Sequence, residues 1–263
     1  MIPDVMGIVN VTPDSFSDGG RYLRVEDAVA HGLRLAAEGA AVIDIGGEST
    51  RPGAEPVDVD TELGRVIPVI ERLRAETAGA VRISIDTRHA EVAQAAIAAG
   101  ATLVNDVSAS LYPVAADAGV GWVAMHMRGE PRTMQDDPRY DDVVAEVTAE
   151  LADVARAARE AGVREVWVDP GIGFGKTPAH NWALLANLDR LVALGYPVLV
   201  GVSRKRFLGL VLAKSDGVDE PVPVDDRREA SLAVATWAMM HGARMVRAHE
   251  VRMTVHAARV VAA

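Results

Sequence analysis

Eight short aliphatic runs, separated by Ala-rich stretches of helical period, constrain the fold of this chain more than any other feature. The runs fall at residues 5–9, 41–45, 81–85, 101–104, 122–125, 166–168, 198–202 and 243–246. Such runs are too brief for buried helices, and with helical segments between them they read as strands of a parallel sheet joined by crossover helices. The clearest helical segments are residues 25–38, 61–78, 91–99, 140–161 and 228–241. Several end at a glycine (Gly39, Gly100, Gly162, Gly242), the residue that takes the left-handed conformation closing a helix. Eight strand–helix repeats in 263 residues predict one α/β domain, a (β/α)8 barrel over residues 1–263, since that fold needs about 250 residues. An open doubly wound sheet is the alternative architecture. Residues 215–226, rich in Pro and Asp, follow neither rhythm and read as a surface loop.

Composition narrows the partners. With 49% hydrophobic and 24% charged residues the chain has the balance of a packed globular protein. Its formal charge of −10 opposes binding to a phosphate backbone, so no nucleic-acid partner is expected, and an anionic ligand would need a local cationic site. No apolar run reaches the roughly 18 residues of a membrane span, and no signal segment is visible. The absence of cysteine excludes disulfides and thiolate metal sites and fits a reducing cytoplasm.

The ends of the runs carry polar residues in one register: Asn10, Asp44 with Glu48, Asp86, Asn105, His126, Asp169, Ser203 with Lys205, and Arg247 with His249. Taken singly, each is more simply a loop residue or a helix cap. In a (β/α)8 barrel, however, all carboxyl-side strand ends meet at one mouth, and eight coincidences there predict a shared site.

Individual loops sharpen this expectation. Residues 10–20 are too many for a simple strand-to-helix turn, which takes about two to six residues. Residues 46–53 are glycine-rich and carry Arg51, whose guanidinium suits a phosphate or carboxylate; a plain surface loop is an equal reading of that segment alone. The run from Asp169 through Gly171, Gly173 and Gly175 to Lys176 resembles a nucleotide-binding P-loop but is one residue short between its first glycine and the Gly-Lys pair. Asp169 suits another task, because one carboxylate accepts two parallel N–H bonds from a 2-amino-4-oxo heterocycle such as guanine or a pterin.

Ser203, Arg204, Lys205 and Arg206 place three cations just before a helical run, an anion receptor in an acidic protein, although a solvated basic patch is the usual fate of such a run. Arg247 and His249 close the last strand with a second cationic pair, where barrels commonly bind phosphate. The remaining histidines have no zinc-enzyme spacing, and His126, between Met125 and Met127, reads as pocket lining rather than a ligand. No Gly-x-Ser-x-Gly elbow is present.

With these motifs in order, the chain resembles the dihydropteroate synthases from end to end. The matching segments are residues 6–20, 44–53, 84–87, 105–107, 125–127, 169–176, 203–205 and 247–249. The resemblance implies a transferase that joins a pterin diphosphate to p-aminobenzoate and releases diphosphate. It implies that Asp86, Asn105, Asp169 and Lys205 hold the pterin, while Asn10, Thr50, Arg51, Arg247 and His249 surround the diphosphate. Asn10 would ligate a Mg2+ ion on that diphosphate. Thr50, Arg51, Pro52, Phe174, Lys205 and Arg206 would shape the p-aminobenzoate site, for which sulfonamides compete in the family. Lys205, Asp86, Asp169 and Arg51 would carry catalysis, and a homodimer is expected. Ala248 and Ala230 depart from the usual valine and glycine, and residues 108–121 are shorter than their counterpart, which is expected to trim the fourth helix. A methyltransferase moving a methyl group from a reduced folate to a corrinoid, or a silent pterin-binding paralogue, are the rival readings; the methyltransferase would not need Arg51, Lys205, Arg247 and His249 together for a diphosphate.

Overall fold

A computed structural model describes residues 2–12, 25–49 and 54–263. Its strands are β1 (Asp4–Asn10), β2 (Val42–Gly46), β3 (Arg82–Asp86), β4 (Leu103–Asp106), β5 (Gly121–Met125), β6 (Val166–Asp169), β7 (Leu199–Gly201) and β8 (Met245–Ala248). Each of the eight predicted runs contains or overlaps one of these strands. Helices α1 (Val25–Ala37), α2 (Val59–Glu76), α3 (Ala90–Ala99), α4 (Tyr112–Ala118) and α5 (Val143–Glu160) follow the first five strands in turn. The pair α6 (Pro178–Ala186) and α7 (Leu188–Val192) follows β6. After β7 come α8 (Arg206–Asp216), a 3-10 turn at Val224–Arg227 and α9 (Arg228–Met240), and α10 (Val251–Val261) follows β8.

All strand pairs are parallel, in the order β6-β5-β4-β3-β2-β1-β8-β7. The two ends of that order meet through a single parallel bridge, Val168 with Val198, and the amide of Val168 donates to the Pro197 carbonyl at 3.1 Å. The sheet is therefore a (β/α)8 barrel, as the repeat count predicts. Local chemistry sets the helix ends: Asp58 and Asp142 accept from backbone amides at the starts of α2 and α5, and Gly100 ends α3 at φ 118°. The helix after β4 is short, seven residues.

The strand period of two residues sorts each side chain to the inside or outside of the barrel. Outward residues such as Val5, Val9, Ile43, Ile45, Ile83 and Val104 join the helices in one large core. Met6, Val42, Leu103, Val123, Trp167, Leu199 and Met245 form a separate buried cluster that fills the barrel itself. Below it, Arg82 pairs with Glu165 through two contacts of 2.6 and 2.8 Å, and Trp167 Nε1 donates to Glu165 at 2.7 Å. Two positions beyond the apolar layer stand Asp44, Asn105, Met125, Asp169, Gly201 and Arg247. The same alternation that makes an apolar plug thus lifts the polar residues to the mouth. No helix among the described residues is long and apolar enough to cross a membrane.

Candidate active site

A buried ion cluster occupies the β8–β1–β2–β3 side of the mouth. Arg247 donates from Nε to Asp44 Oδ2 at 2.6 Å and from Nη2 to Asp86 Oδ2 at 2.8 Å. Asn105 Nδ2 donates to the same Asp44 oxygen at 3.0 Å. Asp44 is fully enclosed, and its Oδ1 has no hydrogen-bond partner. Burial pushes the Asp86 carboxyl up to about 7, with Arg247 opposing and the Asp44 carboxylate reinforcing the rise. Burial alone would lower the Arg247 pKa, yet Asp44 and Asp86 outweigh it and hold the guanidinium charged.

Asp169 and Lys205 form the opposite side. Asp169 Oδ1 accepts from the amide of Gly171 at 2.7 Å. Burial raises its pKa; Lys205, the Gly171 hydrogen bond, Lys176 and Arg247 oppose that rise. Lys205 donates from Nζ to the carbonyl of Ile172 and lies 4.5 Å from the centre of the Phe174 ring. Burial lowers its ammonium to about 8 against the pull of Asp169. Gly201 shows how closely the two sides approach: a methyl group built on it would lie 3.8 Å from Arg247 Cβ and 4.0 Å from both Asp169 Oδ2 and Lys205 Nζ. Only a residue without a side chain leaves that space open to a ligand.

The chain turns sharply to deliver Lys205. Arg204 adopts φ +59°, a left-handed conformation that costs a non-glycine residue roughly 1 kcal/mol or more. Its surroundings hold it there: its amide donates to Ser231 Oγ at 2.9 Å, its carbonyl accepts from Arg227 at 3.1 Å, and its guanidinium pairs with Glu250 and, at 3.0 Å, with Asp225. Ser203 Oγ lies 2.9 Å from His249 Nδ1, joining the ends of β7 and β8.

Asn10, Asp86, Asn105, Asp169, Lys205, Phe174, Arg247 and His249 therefore stand at the ends of the strands or on the loops directly beyond them, as predicted. Thr50, Arg51 and Pro52 lie outside the described residues. Arg206 begins α8 and is exposed, and its charge acts on Arg227. His126 departs from the expectation of pocket lining. Strand alternation turns Met125 inward, and His126 is buried behind the mouth, where its Nδ1 lies 2.9 Å from Lys176 Nζ. Asp44 went unassigned in the sequence because its importance comes from contacts with residues 61 and 203 positions away. Its one visible signal was a charge two residues after an inward valine. A separate group, Glu48, Glu62 and His89, lies within metal-binding distance, but Arg88 already pairs with both oxygens of Glu48 at 2.9 Å.

A closed barrel whose mouth brings carboxylates and an amide together with two cations fits one class, the pterin binding enzymes, and the sequence profile of that family matches residues 6–249. A dihydropteroate synthase of Mycobacterium leprae is 50% identical over 98% of this chain and 92% of its own length. The structure of Xanthomonas albilineans dihydropteroate synthase with 4-aminobenzoic acid superposes with a TM-score of 0.89 at 51% identity, covering 98% of this chain and 92% of that one. A second structure of that enzyme, in complex with 7,8-dihydropteroate, gives 0.85 at 48% identity over 98% and 92%. The chain belongs to the dihydropteroate synthases, which are transferases.

Proposed function

We propose that this chain condenses (7,8-dihydropterin-6-yl)methyl diphosphate with p-aminobenzoate, giving 7,8-dihydropteroate and diphosphate for folate synthesis. The observation that carries this reading is the split mouth, with Asp86, Asn105 and Asp169 around a narrow space and Arg247 and Lys205 facing it. Asp169 and Asn105 present acceptors and a donor to the pterin edge, and Lys205 reaches the ring from the same side as Asp169. Thr50, Arg51, Arg247 and His249 surround the diphosphate. Thr50, Arg51, Pro52, Phe174, Lys205 and Arg206 form the p-aminobenzoate site.

The chemistry needs no covalent nucleophile. The bond between the pterin methylene carbon and the diphosphate oxygen breaks, its electron pair leaving with diphosphate. The amine lone pair of p-aminobenzoate then forms the new C–N bond, and the amine proton passes to solvent. Asp86 and Asp169 stabilise the cationic pterin-methyl group, while Arg247, Arg51 and His249 stabilise the departing anion. Asn10, at the end of β1, offers a neutral amide oxygen. That suits Mg2+, which takes few protein ligands and completes its shell with phosphate oxygens and water. When bound, the ion would neutralise charge on the leaving diphosphate.

Diphosphate release measured with Mg2+ and both substrates tests this reading, run beside Lys205→Ala and Asp169→Asn. Both variants are expected to remain folded and to lose most activity. A fully active Asp169→Asn would remove that residue from the site, and diphosphate release that does not depend on p-aminobenzoate would overturn the reaction.

The assembly is expected to be a cytoplasmic homodimer. Met240 and Trp237 on α9 and Val260 on α10 are 68, 48 and 76% exposed, an apolar face that a second copy would cover. Sedimentation of the wild type and of Met240→Glu distinguishes a dimer through this face from a monomer.

A further inference from the structure

We propose that Lys176 is a positioning residue for the pterin subsite, tying the loops after β5 and β6 into one wall and supplying the positive charge behind Asp169. This deepens the reading of Asp169 as the group that holds the pterin. Lys176 is 2% exposed. Its Nζ donates to the Phe174 carbonyl at 3.0 Å, to the His126 carbonyl at 3.3 Å and to His126 Nδ1 at 2.9 Å. All three acceptors are neutral, so its hydrogen bonds are satisfied while its charge is not. That charge acts on Asp169, opposing the rise that burial imposes on its carboxyl.

The backbone around Lys176 is built for this approach. Gly171, at φ +62°, comes so close to the β5 loop that a Cβ would stand 1.8 Å from the His126 carbonyl oxygen, and one on Gly175, at φ +60°, would stand 2.1 Å from that of Arg128. The two loops therefore touch backbone to backbone at two points, and the ammonium group fills the space between them. Three site groups ride on the same loop: Asp169, whose Oδ1 is bound by Gly171; Ile172, whose carbonyl receives Lys205; and Phe174, beneath Lys205.

The electrostatic surroundings are specific. Asp169 faces Lys205 from the loop after β7, Arg247 from β8 and Lys176 from its own loop. Lys176 faces Asp169 and Lys205 on the barrel side, Arg128 on the loop after β5 and Glu150 on α5. Burial lowers the Lys176 ammonium to about 7, with Asp169 the first group opposing that fall. His126 cannot replace it, because burial, Lys176 and Arg128 lower the imidazole to about 3, leaving it neutral. Its Nε2 lies 3.1 Å from Glu150 Oε2 without hydrogen-bond alignment.

The test is the pH dependence of affinity for 6-hydroxymethylpterin, which keeps the heterocycle and lacks the diphosphate, measured by calorimetric titration. Wild type, Lys176→Met and Asp169→Asn are compared, with near-ultraviolet circular dichroism as the check on folding. Lys176→Met is expected to weaken binding about tenfold at neutral pH, the equivalent of one charge-assisted contact. Its acid limb is expected to move to higher pH, since Asp169 without this cation takes up a proton more readily. Lys176→Gln, which keeps a donor without the charge, is expected to show the same displaced limb and serves if the methionine variant does not fold. An acid limb left in place in a folded uncharged variant would overturn the proposal while leaving the pterin reading intact. Asp169→Asn binding the pterin as tightly as wild type would overturn that reading and the proposal with it.

Discussion

Arg247 Nε donates to Asp44 Oδ2 at 2.6 Å, joining β8 to β2 across the intervening β1. Asp44 is fully buried and also accepts from Asn105, so one carboxylate sets the positions of a cation and an amide of the site. Asp44→Ala is expected to destabilise the protein by roughly 3–5 kcal/mol, because it leaves the Arg247 charge short of a buried partner. It is also expected to raise the KM for the pterin diphosphate by about tenfold or more. Urea denaturation and steady-state kinetics check the two effects, and a variant as stable and as active as wild type would contradict the anchoring role.

The pH profile follows from two perturbed groups. Asp86 titrates near 7 and Lys205 near 8 in the free protein, so kcat/KM for the pterin diphosphate is expected to fall below about 7 as Asp86 gains a proton and above about 8 as Lys205 loses one. Because burial raises the Asp86 pKa above its unfolded value, the native state favours the proton. The stability that this contributes is complete below about 4 and is lost as pH rises through about 7. Asp86→Asn is expected to remove the part of the acid limb near 7, leaving the part that Asp169 imposes, and to flatten thermal stability across that window, measured by initial rates and by calorimetric melts.

Gly171→Ala tests the contact between the β5 and β6 loops. An added methyl would meet the His126 carbonyl oxygen at 1.8 Å, and φ +62° is itself unfavourable for alanine. A loss of about 3–5 kcal/mol is expected, together with pterin affinity, because Asp169 is held by the Gly171 amide. Gly217→Ala, where φ is +71° and no atom lies within 4 Å of the added methyl, should cost only about 1 kcal/mol. A similar loss at both glycines would show that steric contact is irrelevant.

At the opposite end of the barrel, Glu165→Gln is a control. Burial alone would raise the Glu165 pKa, but hydrogen bonds from Arg82 and Trp167 outweigh it and hold it low. Stability from this pair is present above the usual glutamate range and is lost as pH falls through the lowered folded value. Both partners are partly exposed, so the variant is expected to lose only about 1 kcal/mol at neutral pH, with KM for both substrates unchanged. Thermal melts and initial rates decide it.

Much of the site was legible because strand alternation is a local rule. Asn105, Asp169 and Arg247 each lie two residues beyond an inward apolar residue, respectively Leu103, Trp167 and Met245, and that spacing alone places them above the plug. Asp86 stands four beyond Arg82 on the same face. His126 shows the limit: a polar residue at a strand end was read as facing the mouth, whereas its parity turns it outward. Lys176 had no role in the sequence once its run proved one residue short of a phosphate-binding pattern, and only the fold encloses it between two loops.

The sequence by itself determined the order of strands and helices, the glycine stops and the climb of Asn105, Asp169 and Arg247 to the mouth, since these depend on propensities and periods spanning only a few neighbours. Tertiary structure alone decided that Asp44 meets Arg247, that Gly201 leaves room between Asp169 and Lys205, and that burial moves Asp86 and Lys205 toward neutral pH. Those outcomes depend on distances between distant parts of the chain and on the exclusion of water, quantities that exist only once the barrel has closed.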